Sequence, residues 1–381
     1  MQTSVPKSGR AAVLVRQPSP RPYAESRPLE IADVALDDVQ YGEVQVAVGS
    51  AGVCHSDLST VDATFVRPTP LVLGHEAAGT VEAVGPGVDR LKPGDKVVFS
   101  FIPTCGQCTE CASGRPALCE PGWRASAAGT LLRGARRMRR DGEPLFMHLG
   151  VGGFAQRTIV AQESLVKIPD DTPLEVAALF GCAALTGLGA VMNSAKVEAG
   201  TSVAIFGAGG VGLMTLLGAV VAGATSIVVV DPVAEKRDLA MDLGATAVVD
   251  PSDGNAVDGV RAALGGRGAQ YAFEAAGNAK ALESAFGATA GGGVTIAVGL
   301  PRNEATMPLP HSLLVRQSRT LKGSLMGDSV PQRDIPRYIE LWKAGRLPIE
   351  RLITGRIGLD QLNASLDALA EGRVVRSVLI P

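Results

Sequence analysis

Along the first hundred residues, hydrophobic positions recur in short β-branched runs separated by clusters of turn-forming residues, a pattern of strands rather than helices. The runs at residues 44–48, 79–84 and 95–99 predict an antiparallel, partly barrel-like domain beginning near Ala11. Between Glu175 and Asn193 the pattern changes to a continuous Ala/Leu-rich stretch that predicts a helix. From Thr201 onward, strand-like runs at residues 203–206, 227–231, 247–250, 271–274 and 294–298 alternate with helical stretches, which predicts a parallel, doubly wound sheet and an α/β fold class. Beyond Lys322 the regularity gives way to a helix over residues 335–344 and a last strand over 377–380, a tail expected to rejoin the first domain. The expected division is therefore residues 11–183 with 325–381 in one domain and 184–324 in the other. No internal repeat interrupts this scheme.

No charged residue occurs between Ser202 and Val230, a run long enough to raise the question of a membrane span. Glycines at 207, 209, 210, 212, 218 and 223 break it, and β-branched clusters bound it, so a buried strand–helix–strand unit is the expected reading. The first ten residues are polar and carry no apolar signal core, so the expected location is the cytoplasm. With 36 Lys and Arg against 38 Asp and Glu, no global field points to nucleic acid or a membrane surface as partner. Aromatic residues make up only 4% of the chain, so stacking platforms for bases are not expected either.

The strand-like residues 203–206 lead into Gly207-Ala208-Gly209-Gly210-Val211-Gly212, a G-x-G-x-x-G pattern placed between a strand and an apolar helix. Gly207 permits the tight turn, Gly209 lets backbone approach a pyrophosphate, and Gly212 allows close helix-to-strand packing. Nineteen residues beyond Gly212, the next strand ends in Asp231, whose carboxylate suits the ribose hydroxyls of an adenosine and would repel a 2′-phosphate. NAD is therefore expected rather than NADP.

Six cysteines are too few for a disulfide scaffold in a chain of 381 residues. Cys105, Cys108, Cys111 and Cys119 follow a C-x2-C-x2-C-x7-C spacing, close enough for four thiolates to close a tetrahedral shell around a structural zinc. The other two, Cys54 and Cys182, lie far apart, with a lone histidine at His75. Two thiolates and one imidazole make a zinc site with an open position, the arrangement of a catalytic metal.

On these residues the chain resembles the zinc-containing alcohol dehydrogenases of the medium-chain dehydrogenase/reductase superfamily over nearly its whole length. The resemblance implies a GroES-like first domain and a Rossmann second domain, two zinc ions, NAD, and hydride transfer between a primary or secondary alcohol and the cofactor. It implies that Asp57 orients His75, that Glu76 lies beside the metal, that Ser56 takes the alcohol proton, and that Phe101 forms a pocket wall. It places Lys236 with Asp231 at the adenosine ribose, Val298 with the glycine motif along the cofactor, and His55 and Arg376 near the pyrophosphate. Ser59 stands where many such enzymes have a histidine ending the proton relay, so a bound water is expected there. His55 replaces the arginine of liver-type enzymes, so faster cofactor release is expected.

Residues 121–147 resemble the insert of the liver-type and glutathione-dependent formaldehyde dehydrogenase branches, which implies a homodimer. Within this stretch Arg124, Arg133, Arg136, Arg137, Arg139 and Arg140 face only Asp141 and Glu143 locally. Two readings stand: a solvated surface loop, or a basic pocket mouth that attracts anionic alcohol or aldehyde substrates. Two rival functions also stand, a thiol-dependent formaldehyde dehydrogenase and a non-catalytic zinc-binding module; zinc content and NADH production separate the module from the enzyme.

Overall fold

The computed structural model describes residues 5–381. The chain divides into two compact units, one made of Met1–Cys182, Val330–Glu340 and Ile349–Pro381, the other of Ala183–Ser329 and Leu341–Pro348.

The first unit is built on two sheets. Its seven-stranded sheet centres on the long strand Glu43–Val53, which pairs antiparallel with Glu76–Val84, Arg157–Ala161 and Arg376–Leu379. Outside these lie Lys96–Phe99, Leu165–Lys167 and Ile353–Ile357. The C-terminal strand thus adds directly to the N-terminal sheet. The second sheet has six strands, ordered Glu143–Pro144, Met138–Arg140, Leu29–Leu36, Ser8–Leu14, Leu71–Val72 and Phe146–Met147. Their inward positions, among them Val13, Val46, Leu71, Phe99 and Ile159, are buried in one apolar core with Leu73 and Phe154 from the adjoining loops.

The second unit is a parallel sheet of Rossmann type, with spatial order Ala247–Val249, Ser226–Val230, Ser202–Phe206, Ala269–Glu274, Thr289–Ala297 and Thr320–Gly323. The chain begins at the middle of this order and winds outward in both directions. The charge-free run is the strand Ser202–Phe206, the helix Gly210–Ala222 and the strand Ser226–Val230, largely buried and without a membrane-length element. The helix stops at Gly223, whose φ of +84° lets its N–H return to the carbonyl of Ala219.

Among the described residues one helical stretch, Leu174–Ala195, is long and apolar enough to cross a membrane, and 89% of its most apolar window is buried within the protein. It is not a uniform α-helix. Two π-helical segments, Phe180–Ala184 and Ala190–Ala195, interrupt it, and Cys182 lies in the first of them. Such wide turns re-aim side chains and are frequent at functional sites.

Candidate metal and cofactor sites

Sheet register explains how residues remote in sequence meet. Gly52 is paired with Glu76 and Ser377 with Val53. Consequently Cys54, one residue past its strand, His75, one residue before the next strand, and Arg376 converge at one end of the sheet. The strand Lys96–Phe99 pairs with the same neighbour and leads to Phe101. Cys182 arrives from the π-helical turn, and the ligand atoms of Cys54, His75 and Cys182 lie within 4.8 Å of one another, all three residues buried.

Cys54 caps the helix His55–Val61, and the carboxylate of Asp57 in its first turn reaches back to accept the Cys54 N–H at 3.0 Å. The other oxygen of Asp57 accepts from Nδ1 of His75 at 3.2 Å and from the N–H of Gly74 at 3.2 Å. An ionised carboxylate can only accept, so this contact places the proton of His75 on Nδ1 and leaves the Nε2 lone pair for a metal. Burial pushes the Asp57 carboxyl up, but the imidazoles of His75 and His148 outweigh it and hold the group at about 2.

Glu76 is fully buried, and neither of its carboxylate oxygens has a hydrogen-bond partner. Burial raises its pKa to about 7 despite Arg376, whose Nη1 stands 3.6 Å from Glu76 Oε2. Arg376 is 3% exposed and donates to the carbonyl of Val53 at 3.0 Å, so in this structure its guanidinium serves Glu76 and the neighbouring thiols. A hydrogen bond from Cys182, together with Arg376 and His75, holds the Cys54 thiol well below the ordinary thiol range against the effect of burial. Two soft thiols, one imidazole with a free lone pair, and a buried carboxylate without donors fit a divalent metal of zinc type.

Ser56 is half-buried, with Oγ 3.8 Å from Cys54 Sγ, while His55 is exposed at the first position of the helix. Phe101 stands edge-on to His75, ring centroids 5.6 Å apart at 88°. A residue that sequence reasoning passed over also stands against His75. The ring of His148 is 5.2 Å from that of His75 at 81°, and its Nδ1 meets Asp57 at 3.0 Å. The only sequence signal for it was rarity, since the whole chain has four histidines.

The thiols of Cys105, Cys108, Cys111 and Cys119 lie within 4.8 Å of one another. The N–H groups of Cys105 and Cys108 point at Cys119 Sγ and Cys105 Sγ, each at 3.3 Å. A shell of four thiols leaves no open position around a metal.

In the other unit Gly207 has a φ of +102°, and a Cβ on Gly212 would lie 1.8 Å from the Gly207 carbonyl, so both positions require glycine. A Cβ at Gly209 would meet nothing within 4 Å, which leaves open backbone at the start of the helix containing Gly210 and Val211. Asp231 accepts the Ala208 N–H at 2.7 Å and the Val233 N–H at 2.9 Å, tying the glycine turn to the end of the next strand. Lys236 lies half-buried on the following helix, and Val298 follows the strand Thr289–Ala297.

The insert corrects the local charge count. Arg133 pairs with Glu163 at 2.7 Å, Arg137 with Glu43 at 2.9 Å, Arg139 with Asp37 at 2.7 Å and Arg140 with Glu30 at 2.8 Å. Arg124 pairs with Glu120, and Arg136 lies 4.4 Å from the centroid of the Phe146 ring. These arginines neither face only Asp141 and Glu143 nor form a free basic pocket mouth. Arg133, Arg137, Arg139 and Arg140 fasten this stretch to segments remote in sequence, while Arg124 and Arg136 have local partners.

Two family models match the chain: an alcohol dehydrogenase GroES-like domain over residues 40–170 and a zinc-binding dehydrogenase domain over residues 210–344. The chain is 40% identical to the geraniol dehydrogenase of Castellaniella defragrans, over 93% of this chain and 94% of that one. It is 37% identical to the NDMA-dependent alcohol dehydrogenase of Amycolatopsis methanolica, over 94% of this chain and 97% of that one. The crystal structure of benzyl alcohol dehydrogenase from Acinetobacter calcoaceticus superposes with a TM-score of 0.91 at 30% identity, covering 98% of this chain and 99% of that one.

Proposed function

The chain belongs to the zinc-dependent alcohol dehydrogenases of the medium-chain family, enzymes of alcohol oxidoreduction, and we propose that it transfers hydride between an uncharged alcohol and NAD through a metal held by Cys54, His75 and Cys182. The observation that carries this reading is the convergence of those three buried donors within 4.8 Å, a set with one position to spare. Zinc bound there supplies a Lewis acid that brings the alcohol hydroxyl toward ionisation at neutral pH, and bound NAD supplies the hydride acceptor.

The chain's own residues do the remaining work. Asp57 fixes the tautomer of His75. Ser56 Oγ, beside Cys54, takes the alcohol proton. Phe101 walls the space at His75 with an apolar edge, and Glu76 sets a carboxylate behind the thiols. The N–H groups at the start of the helix Gly210–Ala222 hold the pyrophosphate, as a helix N-terminus favours an anion, and Asp231 faces the ribose. The second zinc, at Cys105, Cys108, Cys111 and Cys119, closes its loop without entering the chemistry. A homodimer is carried over from the resemblance, and light scattering of the purified protein tests it.

We infer an uncharged substrate because five of the six insert arginines pair with carboxylates and Arg136 stacks on Phe146, and because relatives include proteins named for geraniol and benzyl alcohol. A metal count together with an NAD-coupled screen of aliphatic, benzylic, carboxylated and thiol-adduct alcohols tests the reading. Two zinc ions per chain and turnover of uncharged alcohols support it. Metal-free protein, or a marked preference for carboxylated alcohols, overturns it. Preference for a thiol adduct instead makes the chain a thiol-dependent formaldehyde dehydrogenase.

Cofactor choice yields a separate expected outcome. Asp231→Gly removes the ribose acceptor and the repulsion of a 2′-phosphate, and it also frees the Ala208 N–H. NAD affinity falls and the advantage of NAD over NADP narrows by roughly tenfold, the equivalent of about 1.4 kcal/mol. Titration of both cofactors checks this; an unchanged ratio places the discriminating group elsewhere.

A further inference from the structure

The strand Phe146–Met147 runs parallel to Leu71–Val72, with Met147 opposite Val72. Both strands end there, and the chain beyond each turns into the same space, one carrying His75 three residues past Val72, the other His148 directly after Met147. Two very short strands in fixed register therefore bring a second histidine against the metal-facing one.

The contacts of His148 are specific. It is 2% exposed, in a 3-10 turn closed by the Val151 N–H on its own carbonyl at 3.0 Å. Its Nδ1 meets Asp57 Oδ1 at 3.0 Å, the shortest of the three polar contacts converging on that oxygen, the others being His75 Nδ1 and Gly74 N at 3.2 Å. Its Nε2 stands 3.3 Å from Thr60 Oγ1, one turn further along the helix that carries Asp57. A carboxylate oxygen accepts only, so both imidazoles present Nδ1–H to it. Thr60 Oγ1 also lies 3.0 Å from the Ser56 carbonyl, so its single hydroxyl hydrogen is shared between that carbonyl and Nε2 of His148. The ring is thus held at Nδ1 by Asp57, with Thr60 beside Nε2, and it stands edge-to-face against His75, as Phe101 also does.

We propose that His148 is a positioning residue for the metal site: through Asp57 it fixes the orientation and tautomer of His75, and so sets how tightly the metal is held. The inference rests on Cys54, His75 and Cys182 being the metal ligands. Groups that orient a ligating imidazole commonly change metal affinity by roughly 10–100-fold when removed. Removing the His148 donor leaves Asp57 Oδ1 with two contacts and lets its carboxylate rotate about the bond that aims it at His75.

The test compares His148→Phe, which keeps an aromatic edge against His75 and loses the donor, with His148→Asn, whose side-chain N–H lies near the former position of Nδ1. Zinc is titrated against a competing chelator, total zinc is counted, melting is recorded, and the visible spectrum of the cobalt-substituted protein is taken. His148→Phe is expected to weaken one zinc site of the two by roughly 10–100-fold and to shift the cobalt bands, with His148→Asn restoring both to within a few-fold of wild type. Wild-type zinc affinity and spectrum in His148→Phe overturn the proposal. So does an equal loss in both variants that merely follows a fall in melting temperature, because that describes packing alone. Loss of a third equivalent of zinc overturns it too, by making His148 itself a ligand. A wild-type protein with no zinc at Cys54, His75 and Cys182 would instead defeat the functional reading on which the inference rests.

Discussion

Cys182→Ala should lower turnover by about a thousandfold or more while leaving the protein folded. A metal that polarises the reacting oxygen contributes several kcal/mol to the barrier, and each 1.4 kcal/mol is a factor of ten in rate. Without Cys182 only Cys54 and His75 remain of the three donors, and Asp57 continues to engage the far side of the imidazole rather than replacing the lost sulfur. The cost to the scaffold is small by comparison. Cys182 is flanked by buried Phe180, Ala183, Ala184 and Leu185, which keep their packing when one sulfur is removed. Zinc content should fall from two per chain to one, with little change in melting temperature. Near-normal turnover with both zinc ions present would refute the assignment of this cysteine.

The strands and the glycine turn were legible in the sequence because each rests on local chemistry: β-branched alternation, a glycine where φ must be positive, and an acidic residue ending the next strand. The three donors were legible as residue types, but their meeting depends on register. Gly52 opposite Glu76 brings Cys54 beside His75, and no spacing rule encodes that pairing. His148 was passed over for the same reason in stronger form. The strands that place it, Leu71–Val72 and Phe146–Met147, have two residues each, too few to show any period. The two readings of the arginine-rich stretch could not be separated in the sequence because charge was counted along the chain. Arg137, Arg139 and Arg140 find partners 94, 102 and 110 residues away, so the local excess vanishes once the sheet forms. The π-helical turns around Cys182 also left no trace, since an Ala/Leu-rich run suits a wide turn as well as a regular one.

Cys108→Ser should have the largest effect on stability, and its consequences should reach the substrate side without touching the chemistry. The segment from Cys105 to Cys119 has little apolar anchoring: Cys105, Cys108 and Cys111 are half-exposed, and the helix Thr109–Ala112 buries none of its residues. Apart from buried Pro116 and Ala117 near its end, the four sulfurs and what they hold are its main cross-link. Structural zinc of this kind supplies on the order of 10 kcal/mol to small domains that fold around it. The whole of that is not lost here, because two large apolar cores of the described residues lie elsewhere. The loop should become susceptible to proteolysis, the melting temperature should drop, and one zinc per chain should remain. The helix Glu120–Ala128 begins immediately after Cys119, and Ser126 within it donates to the carbonyl of Phe101 at 3.2 Å. Loosening the cluster therefore frees the aromatic edge that stands against His75. At a temperature where the variant is still folded, KM for an aromatic alcohol should rise more than kcat falls, since the three metal donors are intact. Differential scanning calorimetry, a metal count and steady-state kinetics check these outcomes. An unchanged melting temperature with two zinc ions bound would show that the fourth thiolate is dispensable, and a fall in kcat alone would show that the loop acts on the chemistry by some route other than Phe101.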